Sequence, residues 1–206
     1  MTNTLHRKGS AESLKHDFVI FASPSWQVPD VFVKLGRFSR ICLKHSPVNM
    51  NYVDRDGTHP ADPRRLQEVV GETFGMTATF DNTEALAGVI KALKEADLGI
   101  SINVSGLLEE VKKCCNIVGM ERHSAEQSLG IFGKTELLPQ WPVVKINSLC
   151  GHGLVSFNLI NRVIDEVKTE RMTPEEGAYK LTKPCQCGAF NPTRAKQLLE
   201  QLRLKR

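Results

Sequence analysis

The residues best suited to chemistry in this chain are cysteines and a histidine in two short motifs. The first motif is Cys150-Gly-His152-Gly, and the second, later in the chain, is Cys185-Gln-Cys187-Gly. Thiolate and imidazole are the ligands that soft and borderline cations prefer in proteins. The two motifs together supply the four groups that a closed tetrahedral site needs. The sequence therefore predicts a metal or iron–sulfur site built mainly from Cys150, His152, Cys185 and Cys187.

The identity of the metal stays open between zinc and an iron–sulfur cluster, with a slight preference for the cluster. A set of three cysteines and one histidine is typical of structural zinc and also serves some iron–sulfur clusters. The preference comes from the separation of the two motifs, because a structural zinc more often staples one local hairpin. Cys114 and Cys115 are additional candidate ligands. Since neighbouring helical residues point about 100° apart, we expect at most one of them to face the site.

His123 and Glu126 are the candidate catalytic residues. They flank Ser124, which the pattern from Ser124 to Gln127 predicts as the N-cap of a helix. An imidazole and a carboxylate here could complete a coordination sphere or exchange protons beside the metal. Cys42 lies in an apolar helical stretch, and we expect it in the hydrophobic core.

Three kinds of function fit these motifs, and they leave open whether the protein is an enzyme. The first is a metal or iron–sulfur centre that supports redox or metal-assisted chemistry, with a small molecule or a redox protein as its partner. The second is a structural zinc site or a metal-trafficking protein without catalysis. The third is a metal-free enzyme with Cys150 as nucleophile and His152 or His123 as base. Residues two positions apart in a tight turn seldom meet in that geometry, which counts against His152 as the base.

The composition is that of a soluble globular protein, with 41% hydrophobic and 24% charged residues over 206 positions. No apolar run reaches the length of a membrane span, and the polar N-terminus has no apolar signal segment. We therefore expect a cytoplasmic protein, in which six cysteines are more often metal ligands or catalytic groups than disulfides. A net charge of +4 and 6% aromatic residues argue against nucleic-acid binding. The basic residues near both ends, Arg7 among them, are interpreted as solvated.

Local signals predict several helices. Four segments begin with a capping residue that is followed by a proline or an acidic residue at the appropriate spacing. These capping residues are Asp62, whose helix should reach about Phe74, and Asp81, Thr173 and Asn191. Apolar spacing predicts further helices near 29–44, 106–118 and 154–169.

Short apolar or alternating runs predict five strands. They are Phe18–Phe21, Val48–Val53, Met76–Phe80, Leu98–Val104 and Pro142–Asn147. Because strands alternate with helices, we expect an α/β fold with a partly parallel sheet of about five strands flanked by helices. We divide the chain into an α/β domain over 1–153 and a helical C-terminal segment over 154–206. We expect the helical segment to pack on the domain as one structural unit and to carry part of the cysteine motif set.

Overall fold

A computed structural model describes residues 7–25, 27–54, 56–66 and 75–204. The strands are β1 (Phe18–Ser23), β2 (Asn49–Asp54), β3 (Gly57–Pro60), β4 (Thr77–Phe80) and β5 (Ser101–Ser105). The helices are α1 (Ala11–Leu14), α2 (Val31–Lys44), α3 (Thr83–Ala96), α4 (Leu108–Ile117), α5 (Trp141–Asn147), α6 (Phe157–Lys168), α7 (Pro174–Thr182) and α8 (Pro192–Leu204). A short 3-10 helix spans Thr135–Leu137.

The five strands form one antiparallel sheet in the order β3-β2-β4-β1-β5. Helix α2 connects β1 to β2 and α3 connects β4 to β5, which is a split β-α-β topology. The prediction of a partly parallel sheet was therefore wrong. That prediction assumed that strands joined by a helix lie side by side. Instead β4 lies between β1 and β2, and β1 lies between β4 and β5, so every hydrogen-bonded pair is antiparallel.

The fifth strand lies in a different part of the chain from the one predicted. Residues Pro142–Asn147, predicted as a strand, belong to helix α5, where Val143 and Ile146 are buried about one turn apart. A short apolar run does not distinguish a buried strand from one face of a short helix. The proline lies in the first helical turn, where a missing N–H costs little. The fifth strand is β3, which forms a hairpin with β2.

The helix starts predicted near the C-terminus are confirmed. Thr173 and Glu176 form a complete capping box at the start of α7. Asn191 Oδ1 accepts a hydrogen bond of 3.0 Å from the N–H of Arg194 in the first turn of α8. These signals are local, so the sequence alone was sufficient to find them.

Three other helix predictions were not confirmed as made. The cap of α3 is Asn82, one residue after the predicted Asp81. The helix predicted at Ser124 was wrong, because residues 121–134 form an exposed irregular segment. Most of the helix predicted from Asp62 lies outside the described residues.

Two hydrophobic cores lie on opposite faces of the sheet. Phe18 and Ile20 of β1 point into the first core, which α2, α3 and α4 cover. Val19, between them, points to the opposite face and joins a second core formed by α5, α6, α7 and α8. Both cysteine motifs contribute to this second core. Among the described helices, none is long and apolar enough to cross a membrane.

Candidate functional site

The first motif is the turn between α5 and α6. The N–H of Cys150 donates to the carbonyl oxygen of Asn147 at 3.0 Å, and the N–H of Gly153 donates to that of Cys150 at 3.0 Å. Asn147 Nδ2 fixes the far side of the turn by donating to the carbonyl oxygen of Val155 at 2.8 Å. The turn therefore holds Cys150 in the second core and leaves His152 exposed at the surface.

The second motif is the turn between α7 and α8, and the sheet holds it in place. Gly188 has a φ of +70°, and a Cβ at this position would lie 2.2 Å from the carbonyl carbon of Met50. Both facts require glycine. Thr79 Oγ1 donates to the carbonyl oxygen of Gly188 at 2.8 Å, and Asn49 Nδ2 donates to that of Phe190 at 2.8 Å. Because Thr79 belongs to β4 and Asn49 to β2, these two strands set the position of the whole turn.

Arg7 joins the two turns. Its Nη1 donates to the carbonyl oxygen of Leu149 at 2.6 Å, and its Nη2 donates to that of Ala189. Leu149 directly precedes Cys150, and Ala189 follows shortly after Cys187. One guanidinium therefore fixes the backbone beside both motifs.

Buried Asp17 holds two arginines from opposite ends of the chain. Its Oδ2 lies 3.0 Å from Arg7 Nε and 2.5 Å from Arg194 Nη1. The contact with Arg7 is an ion pair without hydrogen-bond geometry, so that Nε has no hydrogen-bond partner within the described chain. Arg194 also donates to Ser13 Oγ at 3.1 Å and to the carbonyl oxygen of Lys8 at 2.6 Å. The interpretation of the terminal basic residues as solvated is wrong for Arg7, whose side chain is 5% exposed.

The structure brings the four residues of the two motifs together in a row. Cys185 lies in the middle, with its sulfur 3.6 Å from that of Cys187, and its thiol also interacts with that of Cys150. His152 lies at the outer end and interacts with Cys187. Cys150 and Cys185 are buried, Cys187 is half-buried and His152 is exposed. The thiol row, as we call these four residues, thus runs from the second core to the surface.

The contacts in the thiol row connect neighbours and do not surround one point. Within the described ranges, no three His, Cys, Asp or Glu side chains are arranged to hold a metal ion as they stand. All six cysteines are free thiols, and the sulfurs of Cys185 and Cys187 share a hydrogen bond. To bind one ion, the side chains would have to turn towards a shared position.

The two outer thiols have lowered pKa values chiefly because of their contacts with the middle thiol. The hydrogen bond from Cys185, with two backbone N–H groups of the first turn, lowers the pKa of Cys150 to about 6 although burial opposes this. Cys185 and His152 donate to Cys187, together with one backbone N–H, and lower its pKa to about 5. Hydrogen bonds to both sulfurs and burial raise the pKa of Cys185, which keeps its proton.

Cys114 and Cys115 lie in α4 and belong to the first core. Cys114 is buried, its sulfur donates to the carbonyl oxygen of Thr83 at 3.5 Å, and burial raises its pKa. Cys115 is half-buried and packs against the same core. The structure therefore does not bring either of these candidate ligands to the thiol row, which lies on the opposite face of the sheet. Cys42 is fully buried in the first core as expected.

His123 and Glu126 line a separate cavity of about 610 Å³ at the edge of the sheet. Its walls come mainly from β5, α3, α4 and the segment 120–126. Both residues are exposed, and the helix that was expected to position them is not formed. The structure therefore does not place this acid–base pair beside the thiols, which belong to the second core.

No protein-family model matches the chain, and no match was found among curated proteins or solved structures. A split β-α-β sheet can carry many unrelated functions, so the fold does not identify one. The function has to be argued from the chemistry of the thiol row.

Proposed function

We propose that the protein binds a single thiophilic metal ion, zinc in the first instance, through Cys150, Cys185, Cys187 and His152. The observation that carries the proposal is the packing of both motifs in the second core, with Cys150 in the same cluster as Cys185 and Cys187, whose sulfurs are 3.6 Å apart. Thiolate and neutral imidazole are the ligands that zinc prefers, and four of them complete a tetrahedral shell.

The spacing of one sulfur pair is compatible with a single shared ion. Two thiolates on one tetrahedral zinc lie about 3.8 Å apart, because each Zn–S bond is about 2.3 Å long. The sulfurs of Cys185 and Cys187 are 3.6 Å apart, which is close to that value. In a four-iron cluster each cysteine binds a different iron and the sulfurs lie farther apart, whereas in a two-iron cluster two cysteines share one iron at a similar spacing. The proposal therefore departs from the slight preference for an iron–sulfur cluster that the sequence favoured.

Backbone groups at both ends of the row are placed to stabilise thiolates. N–H groups of the first turn, that of Leu154 among them, donate to the Cys150 sulfur, and the N–H of Ala189 donates to that of Cys187. Such donors orient metal ligands and offset their negative charge. Cys185 would lose the proton that it now shares, so metal binding should release protons.

The exposed end of the row indicates where the ion would meet other molecules. Three ligands lie in the protein interior or at its edge, whereas His152 lies on the surface between two glycines. A small molecule or a redox protein would approach the ion from the His152 side. Structural zinc, metal trafficking and metal-assisted chemistry all use such ligand sets. We propose metal binding in a reducing compartment such as the cytoplasm, where free thiols persist.

The alternative of a metal-free enzyme with Cys150 as nucleophile has less support. The imidazole of His152 hydrogen-bonds to Cys187, and Cys150 is only 2% exposed. His123, the other candidate base, lines the separate cavity. A nucleophile must also be accessible to its substrate, and Cys150 is buried. The geometry therefore favours a ligand role for Cys150.

The proposal is tested by measuring the metal content of the full-length protein purified without oxygen. We expect one zinc per chain by mass spectrometry of the metals, with no visible absorption band. Cys185→Ser should lose the zinc because Cys185 is the middle ligand of the row. Cys115→Ser is the matched control, since Cys115 is a half-buried thiol outside the row, and it should keep the zinc.

Two results would contradict the proposal in different ways. Iron with sulfide and a broad visible band would replace the single ion with a cluster. A reduced protein that takes up no zinc in a titration, with all six thiols reacting freely, would remove metal binding altogether.

A further inference from the structure

We infer that Cys187 is a site of oxidation by hydroperoxides and that Cys185 is the thiol that resolves it into a disulfide. The disulfide follows from the arrangement of the thiols alone. Its consequence for a bound ion rests on the proposed function, and the two are measured separately below.

The solvent exposure of the three cysteines determines which sulfur reacts first. Cys187 is half-buried and lies beside exposed His152, whereas Cys150 and Cys185 are 2% and 0% exposed. A small hydroperoxide arriving from solvent therefore reaches Cys187 before the other two thiols.

The first step oxidises the Cys187 sulfur. The sulfur attacks one oxygen of the hydroperoxide ROOH and the O–O bond breaks. The alcohol ROH leaves, and the thiol becomes a sulfenic acid, S–OH. Two electrons pass from the sulfur to the peroxide, and the thiol proton ends on the alcohol.

The second step consumes the neighbouring thiol. The Cys185 sulfur lies 3.6 Å from that of Cys187 and attacks it, the S–O bond breaks, and water leaves with the Cys185 proton. A disulfide is about 2.05 Å long, so the sulfurs must approach by roughly 1.5 Å. Since Cys187 lies at the half-exposed end of the row, rotation of its side chain can supply this movement.

Cys185 has two possible disulfide partners, so its pairing with Cys187 is a specific prediction. Cys150 belongs to the same core cluster and its thiol interacts with that of Cys185, so a Cys150–Cys185 disulfide is the competing product. Both of those thiols are buried, and oxidation that begins on Cys187 leaves Cys150 reduced. A metal ion held by the row would then lose two of its four ligands and should leave.

Peptide mapping of the full-length protein tests the pairing. The reduced protein is treated with equimolar hydrogen peroxide, its remaining thiols are blocked with N-ethylmaleimide, and it is digested with trypsin. Residues 181–194 form one peptide that holds Cys185 and Cys187, because the Lys183–Pro184 bond resists trypsin. Cys150 lies in a separate peptide, residues 146–162. We expect an unblocked 181–194 peptide that is two hydrogens lighter, beside a blocked Cys150 peptide.

Several results would overturn the inference. They are a cross-link between the 146–162 and 181–194 peptides, a peptide 181–194 with both cysteines blocked, or Cys187 oxidised beyond the sulfenic acid while Cys185 is blocked. Zinc content is measured in the reduced sample before peroxide is added. A protein without zinc would contradict the proposed function, while the peptide map would still decide the disulfide. With zinc bound, we expect one zinc released per disulfide formed.

Two variants separate the roles of the thiols. Cys185→Ser should leave a sulfenic acid on Cys187, which dimedone traps, and should form no disulfide in this peptide. Cys187→Ser should leave Cys185 blocked by N-ethylmaleimide after the same dose. If either variant fails to fold, the map of the unaltered protein still decides the pairing.

Discussion

Arg7 Nη1 donates a hydrogen bond of 2.6 Å to the carbonyl oxygen of Leu149, the residue directly before Cys150. The same guanidinium donates to the carbonyl oxygen of Ala189, beyond the second motif, and its charge faces buried Asp17. A residue outside both motifs therefore fixes the two turns relative to each other.

We expect Arg7→Met to weaken both the fold and metal binding. It leaves two backbone carbonyls without their donor, which costs about 1–3 kcal/mol for a buried acceptor, while Asp17 keeps its ion pair with Arg194. Zinc affinity should fall about 10–100-fold, as it does when a residue that orients metal ligands is lost. Urea unfolding gives the free energy, and competition with a chelator gives the affinity of protein that circular dichroism shows to be folded.

Arg162→Met is the control for Arg7→Met. Arg162 forms an exposed pair with Glu166 one helical turn away, with Nε 2.8 Å from Oε1. Such pairs contribute about 0.3–0.5 kcal/mol, and we expect no change in zinc affinity. If both variants lost the same small free energy, the Arg7 contacts would not hold the turns together.

The second prediction concerns a pair of glycines with left-handed backbones. Gly188 and Gly153 have φ of +70° and +68°, but a Cβ would overlap the backbone of Met50 only at Gly188, whereas at Gly153 nothing lies within 4 Å. Gly153→Ala should therefore cost about 1–2 kcal/mol from the backbone conformation alone. Gly188→Ala should cost clearly more and should lower zinc affinity, because the second turn must move off the sheet. Equal losses in urea unfolding would show that the contact with β2 is unimportant.

We expect the free energy of unfolding of the metal-free protein to decrease as the pH falls and Cys187 takes up a proton. A cysteine has a pKa of about 8.5 in an unfolded chain, whereas the hydrogen bond from Cys185 lowers the pKa of folded Cys187 to about 5. Between these values the unfolded state binds more protons, so the stabilisation is complete above about pH 8.5 and is lost as the pH falls through about 5. At higher pH the raised pKa of Cys185 acts in the opposite direction, because the folded state keeps a proton that the unfolded state loses.

The measurement is the free energy of urea unfolding against pH in the presence of a chelator. Carboxylates and histidines also titrate in this range. The quantity of interest is therefore the difference in unfolding free energy between the unaltered protein and Cys187→Ser. We expect this difference to grow from acidic to neutral pH. A difference that stays constant would show that the pKa of Cys187 is not lowered in the folded protein.

Local sequence signals identified the elements whose causes are themselves local. Thr173 and Glu176 cap α7 within one turn, and that helix start could be predicted. The order of the strands could not, because no local pattern tells that β4 enters between β1 and β2. Pro142–Asn147 was mistaken for a strand because Val143 and Ile146 suit a buried strand and a short buried helix equally well.

The thiol site, too, could be predicted only in part from the sequence. The residue types and spacing of the two motifs pointed to Cys150 and Cys185, and the structure places both in one row. The role of Arg7 could not be predicted, because its acceptors lie 142 and 182 residues away in the chain. Its sequence context is that of any polar N-terminus, and only the folded chain shows that it is buried.

The last prediction separates a proposed ligand cysteine from a core cysteine of equal burial. Cys114 and Cys150 are 1% and 2% exposed, so alanine at either position removes a buried sulfur from a packed core. We expect each substitution to cost roughly 1 kcal/mol in the metal-free protein, the usual size for a single change. Cys114→Ala should still bind one zinc per chain, whereas Cys150→Ala should lose the ion or bind it far more weakly. If Cys114→Ala lost zinc while folded, α4 would have to contribute a ligand, and the packing of Cys114 against Thr83 in the first core would not describe the metal-bound protein.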